Sequence, residues 1–84
     1  MSDLEFDILD ELYFVIPFEQ LLKALPMDEK ALKEALHSLI EKGWVKCFLA
    51  DSTELSKEEL NLENDYRHYQ YLATKAGLFA HNSL

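Results

Sequence analysis

The sequence predicts an α+β domain: three helices, then a β-hairpin with a long loop, then a short C-terminal helix. Two observations carry this expectation. Apolar residues recur at helical spacing in three successive segments before residue 43, and β-forming runs at 44–49 and 66–72 flank a polar stretch. The 84-residue length fits one domain over residues 1–84, with a small core that buries ~60–65% of the surface an unfolded chain exposes. Hydrophobic residues make up 49% of the chain, enough to fill such a core.

The first helix is expected over about residues 3–13. Ser2-Asp3-Leu4-Glu5 has the S-x-x-E pattern of a capping box, in which serine and glutamate each satisfy an orphan amide of the first turn. Leu4, Ile8, Leu9 and Leu12 follow on one face, with Asp3, Asp7, Asp10 and Glu11 mostly opposite. Tyr13-Phe14-Val15-Ile16 reads as a short extended piece that stops at Pro17. Pro17 suits the first turn of a second helix, where Phe18, Leu21, Leu22 and Leu25 form the stripe and Pro26 ends it.

Asp28 is the expected N-cap of a third helix, with Met27 and Leu32 placed as a hydrophobic staple. Leu32, Ala35, Leu36, Leu39 and Ile40 line its inner face, and Lys42-Gly43 supplies a cation and a left-handed stop. Trp44–Leu49 reads as a strand. Residues 50–65 are polar, with one helical turn possible at Ser56–Glu59, and Tyr66–Leu72 reads as the returning strand. Thr74 caps a last short helix carrying Leu78 and Phe79. Helix, short strand, two helices, hairpin and helix make the order of a winged helix-turn-helix.

The run Leu25-Pro26-Met27-Asp28 through Leu36, with Leu39-Ile40-Glu41-Lys42-Gly43-Trp44-Val45, resembles bacterial winged-helix regulators of the MarR-like type. Tyr71–Leu78 resembles the exit from their wing, and the likeness spans roughly residues 4 to 81. It implies a fold rather than one ligand. It further implies that the third helix enters the major groove of double-stranded DNA, as a homodimer, in transcription regulation. Lys30, Lys33 and His37 would then face bases, with Lys57 and Arg67 on the wing as further nucleic-acid contacts.

Charge points the other way. Eight Lys and Arg stand against 16 Asp and Glu, a net of −8 that repels polyanions. Residues 1–25 hold six acids and one lysine, residues 28–42 four acids and three lysines, and residues 46–75 six acids and four basic residues. No region is net basic. The alternative expectation is therefore a winged helix used for protein interaction, as an adaptor or small subunit, with Phe6, Tyr66, Tyr69 and Tyr71 as contact candidates. For each set a plainer role exists: a solvated helix face with pairs such as Lys30–Glu34 and His37–Glu41, and tyrosines packed against the helices with wet hydroxyls.

Chemistry is not expected. His37, His68 and His81 lack metal-ligand spacing, and there is no Gly-rich phosphate loop, so neither metal nor cofactor is anticipated. Cys47 is the single cysteine and reads as a core residue, not a nucleophile. The acidic start lacks a signal peptide's basic region, and no apolar run approaches the ~20 residues of a membrane span. The expected setting is the reducing cytoplasm, without membrane contact.

Overall fold

A computed structural model describes residues 1–83. Its elements are α1 (Asp3–Glu11), β1 (Ile16–Pro17), α2 (Phe18–Ala24), α3 (Glu29–Glu41), β2 (Val45–Phe48), β3 (Glu54–Leu55), α4 (Leu62–Asp65), β4 (Gln70–Ala73) and α5 (Lys75–Asn82). A 3-10 turn over Tyr66–His68 joins α4 to β4. The fold is α+β, with an antiparallel sheet in the order β1-β4-β2-β3. No helix among the described residues is long and apolar enough to cross a membrane.

The local signals of α1 and α3 operate as expected, while Pro17, expected in the first turn of α2, lies in β1 and precedes that helix. Ser2 Oγ accepts from the Glu5 amide at 3.1 Å, and Glu5 Oε1 accepts from the Ser2 amide at 3.1 Å, completing the capping box. Asp28 Oδ1 accepts from the Ala31 amide at 2.8 Å. Gly43 closes α3 at φ +76°, a conformation that costs a side-chain-bearing residue energy. Ile8, Leu9, Leu12, Phe18, Leu21, Leu32, Leu36 and Leu39 meet in the core with Cys47 and Tyr71, all fully buried. Burial pushes the Cys47 thiol up to about 12, so it stays protonated and inert at neutral pH.

The hairpin is formed by β2 and β4, which pair through Val45↔Ala73, Lys46↔Leu72, Cys47↔Tyr71 and Phe48↔Gln70. Pro17 fits β1 because β1 is an edge strand, where a missing amide breaks no ladder. Gly77 lets α5 lie against the chain entering β2. A Cβ there would sit 2.1 Å from the Trp44 carbonyl oxygen, and Thr74 Oγ1 reinforces the junction by donating to the Gly43 carbonyl at 2.7 Å.

Two expectations need correcting. The returning strand begins at Gln70, not Tyr66, because residues 62–68 are helical. Asn61 caps that turn, its side chain accepting from the Asn64 amide at 3.4 Å, so a local cap overrides the β-preference of Tyr66. The polar stretch before it is likewise no open loop. Residues 49–53 turn back so that β3 adds to the sheet beside β2, and residues 57–59 form a turn. Leu62 is buried, and Leu55, Leu60 and Tyr66 are partly buried against the core. Those apolar anchors hold residues 56–69 down against the helices.

Candidate functional site

Residues 56–69 lie beside the outer face of α3, and between them runs a cleft of about 590 Å³. Lys30, Lys33 and His37 line it from α3, and Lys57, Asn61 and Glu63 from the opposite wall. Four of the five side chains expected to meet DNA are thus brought to one cleft, and Arg67 lies outside its lining. Most of them, however, are already engaged by this chain.

Lys33 Nζ donates to Glu63 Oε1 at 2.9 Å, and that hydrogen bond, helped by the lysine's charge, holds the Glu63 carboxyl below the usual range. His37 Nε2 lies 3.8 Å from Glu41 Oε1, the i,i+4 spacing expected from sequence. Lys57 Nζ donates to the Glu41 carbonyl at 3.2 Å, placing a cation at the negative end of α3. Arg67 Nε donates to Glu29 Oε2 at 2.6 Å, and its terminal nitrogen pairs with the same oxygen. The Tyr66 hydroxyl also donates to Glu29. That bond, with Arg67 next to it, outweighs the cost of burial and keeps the Glu29 carboxyl low. Lys30 has no ion-pair partner among the described residues, and the expected Lys30–Glu34 pair is not formed.

The aromatic candidates separate in space. Tyr69 and Tyr71 alternate onto the inner face of the sheet region and are buried, out of reach of any partner. Their hydroxyls do structural work. Tyr69 Oη accepts from the Asn61 amide at 3.0 Å, and Tyr71 donates to the Tyr66 carbonyl at 2.8 Å, so both tie residues 61–66 to the sheet. Tyr66 is half-buried, its ring edge-on to Phe18 at 4.9 Å between centroids. Phe6 is also half-buried and stacks on His81 at 4.2 Å.

Three features escaped sequence reasoning. Glu29 and Glu63, which neutralise Arg67 and Lys33, stand 38 and 30 residues from them, so no local spacing marks them. Glu5, expected as the capping-box acid of α1, is also buried. Lys42 Nζ donates to its Oε2 at 2.7 Å and Ser38 Oγ at 3.4 Å, pinning the start of α1 to the end of α3. Phe79 is exposed instead of inward, and here a signal existed. Thr74, Gly77, Leu78 and His81 already complete the inner stripe of α5, leaving Phe79 about 100° off it.

Comparison of the chain with protein-family models, with characterised proteins and with solved structures finds no match. Among the described residues, no group of His, Cys, Asp and Glu is placed to hold a metal ion.

Proposed function

We propose that this chain is a winged-helix domain that works by docking proteins and does not read DNA. The element order and the hairpin of β2 and β4 support the winged-helix reading, with α3 in the position of the recognition helix. One observation carries the protein reading: residues 56–69 fold back beside α3, where Lys33 pairs with Glu63, Arg67 with Glu29 and Lys57 with the Glu41 carbonyl, which leaves Lys30 as the cation of α3 without an ion-pair partner among the described residues. A DNA reader needs those charges for phosphates, because counterion release supplies much of the affinity. Here, Lys33 and Arg67 would first have to leave acidic partners, in a domain whose net charge is −8.

The test is duplex binding by fluorescence polarisation at about 50 mM salt, where phosphate contacts are strongest. The expected result is no retention of mixed-sequence duplex, by a protein that still forms a complex with a protein ligand. Salt-dependent duplex binding that disappears in Lys30→Glu/Lys33→Glu would overturn the proposal and restore a role in transcription regulation.

A further inference from the structure

The side of the domain opposite in character to the α3 cleft is the corner where α1 ends against α5. Phe14 is 78% exposed and Phe79 75%, two of five phenylalanines in the chain, and Tyr13 and Val15 are exposed beside Phe14. The corner is built firmly. The Tyr13 hydroxyl donates to Asn82 Oδ1 at 3.1 Å and lies 3.1 Å from His81 Nδ1, tying residues 13–15 to the end of α5. Phe79 precedes Asn82 by three residues and shares that side of the helix. His81 is buried, and its Nε2, which has no hydrogen-bond partner among the described residues, lies 3.4 Å from Asp10 Oδ1.

The charge at this corner is one-sided. Lys75 is the sole Lys or Arg of α1 and α5, against Asp3, Glu5, Asp7, Asp10 and Glu11 on α1. Glu5 is spent on Lys42, whereas Asp3, Asp7 and Glu11 have no ion-pair partner among the described residues. Asp10 and Glu11 occupy the last turn of α1, with no basic residue there. Carboxylates are unfavourable at that end, where the helix already presents its unsatisfied carbonyls. Two local penalties thus coincide: aromatic rings in water and acids at a helix C-terminus. A single kind of ligand relieves both, one with apolar anchors for the rings and cations for the acids.

We propose that the corner formed by Tyr13, Phe14, Val15 and Phe79, rimmed by Asp10 and Glu11, docks a basic amphipathic segment of a partner protein. Aromatic anchors surrounded by complementary charge are the usual core of such an interface. The inference rests on the protein-docking reading and names its surface. A second copy of this chain is a poor occupant, because it would bring a further net −8 to an already acidic rim.

The probe is a short fluorescein-labelled amphipathic helix of Leu and Lys, compared with a Leu/Glu helix and with a Ser/Lys peptide of equal charge but no apolar face. Only the Leu/Lys helix should bind. Phe14→Ser/Phe79→Ser and Asp10→Asn/Glu11→Gln should each weaken it at least about tenfold, and Lys30→Ala in the α3 cleft should leave it unchanged. Both pairs are surface changes, and circular dichroism verifies that each variant is folded. No binding of the Leu/Lys helix, equal binding of either comparison peptide, or indifference to the phenylalanines overturns the proposal. So does a wild-type dimer in sedimentation that Phe14→Ser/Phe79→Ser makes monomeric, since the occupant would then be a second copy. A failure here with duplex DNA still unbound rejects this surface only; duplex binding lost in Lys30→Glu/Lys33→Glu rejects the docking reading itself.

Discussion

Two surfaces of this domain treat their polar and aromatic groups in opposite ways. Around α3 the chain satisfies itself: Lys33 meets Glu63, Arg67 meets Glu29, Lys57 caps the helix, and Tyr66 is drawn into the same network. At the α1–α5 corner Phe14 and Phe79 stand in water, with Asp10 facing His81 and Glu11 without an ion-pair partner among the described residues. The difference separates what a scaffold suggests from what its side chains permit. The outer face of α3 has Lys33 engaged from within and Arg67 and Lys57 held beside it, while the face opposite in character is left open. Surfaces that carry local penalties without internal compensation are where a partner gains most.

The comparison is broken most severely by removing the open corner. Gly77→Ala drives a Cβ to 2.1 Å from the Trp44 carbonyl oxygen, a backbone atom that cannot swing aside. Either α5 lifts away or β2 shifts, at a cost of about 3 kcal/mol or more. Total stability for a domain of this size is about 4–13 kcal/mol, so urea unfolding should show a large loss. Amide exchange should place the damage in α5, with the network around Lys33 and Glu63 retained.

The second prediction concerns the contrast within α1 between Glu5, paired with Lys42, and Asp7, which has no ion-pair partner among the described residues. Burial by itself would raise the Glu5 carboxyl, but the Lys42 ammonium and the amide and hydroxyl of Ser2 outweigh it and hold Glu5 below its ordinary 4.5. A carboxyl lowered by folding contributes stability above its unfolded value. That contribution is lost as pH falls from about 4.5 through the lower folded value. Glu5→Gln should cost about 1–3 kcal/mol at neutral pH and flatten the acid limb of a plot of urea midpoint against pH. Asp7→Asn, on an exposed neighbour, should leave that limb unchanged.

How these regions came to be readable, or not, follows from the range of the interactions. Ser2 with Glu5, Asp28 with Ala31 and Gly43 after Lys42 act within four residues, so the helices they bound were legible in the sequence. The partnership of Glu5 with Lys42 spans 37 residues, and that of Arg67 with Glu29 spans 38, so only the fold brings them together. The aromatic run Tyr66–Leu72 looks like a strand throughout, whereas the Asn61 cap and the buried Leu62 start a helical turn that continues through His68. The cations of the candidate site were legible as residues. Their neutralisation was not, since it depends on where residues 56–69 come to rest.

The third prediction tests how tightly α3 is closed. Glu63 is 81% exposed at its side chain, so solvent screens its pair with Lys33. A double-mutant cycle of Lys33→Ala and Glu63→Ala should give a coupling of only about 0.2–1 kcal/mol. The functional readout is more telling than the energy. Glu29→Gln/Glu63→Gln releases Arg67 and Lys33 and removes two negative charges, which is the change most favourable to DNA. Duplex retention should remain absent at about 50 mM salt; retention gained by this variant would mean that α3 is a reading head held shut by its neighbours.

The smallest expected effect is also the sharpest test of the contrast. Phe18 is fully buried, and its ring lies against Tyr66 and Tyr71. Phe18→Ala should therefore cost about 3–5 kcal/mol in lost transfer energy and cavity. Phe14→Ser and Phe79→Ser remove the same ring from positions that are three-quarters exposed. Almost no burial is lost, and each should change stability by no more than about 0.5 kcal/mol. A matched set of urea midpoints for the three variants measures this directly. If Phe14 or Phe79 cost as much as Phe18, those rings would belong to the core, and the open corner would be a structural seam with nothing left over for a partner. If they cost nothing, the domain keeps two phenylalanines in water that its own folding does not require.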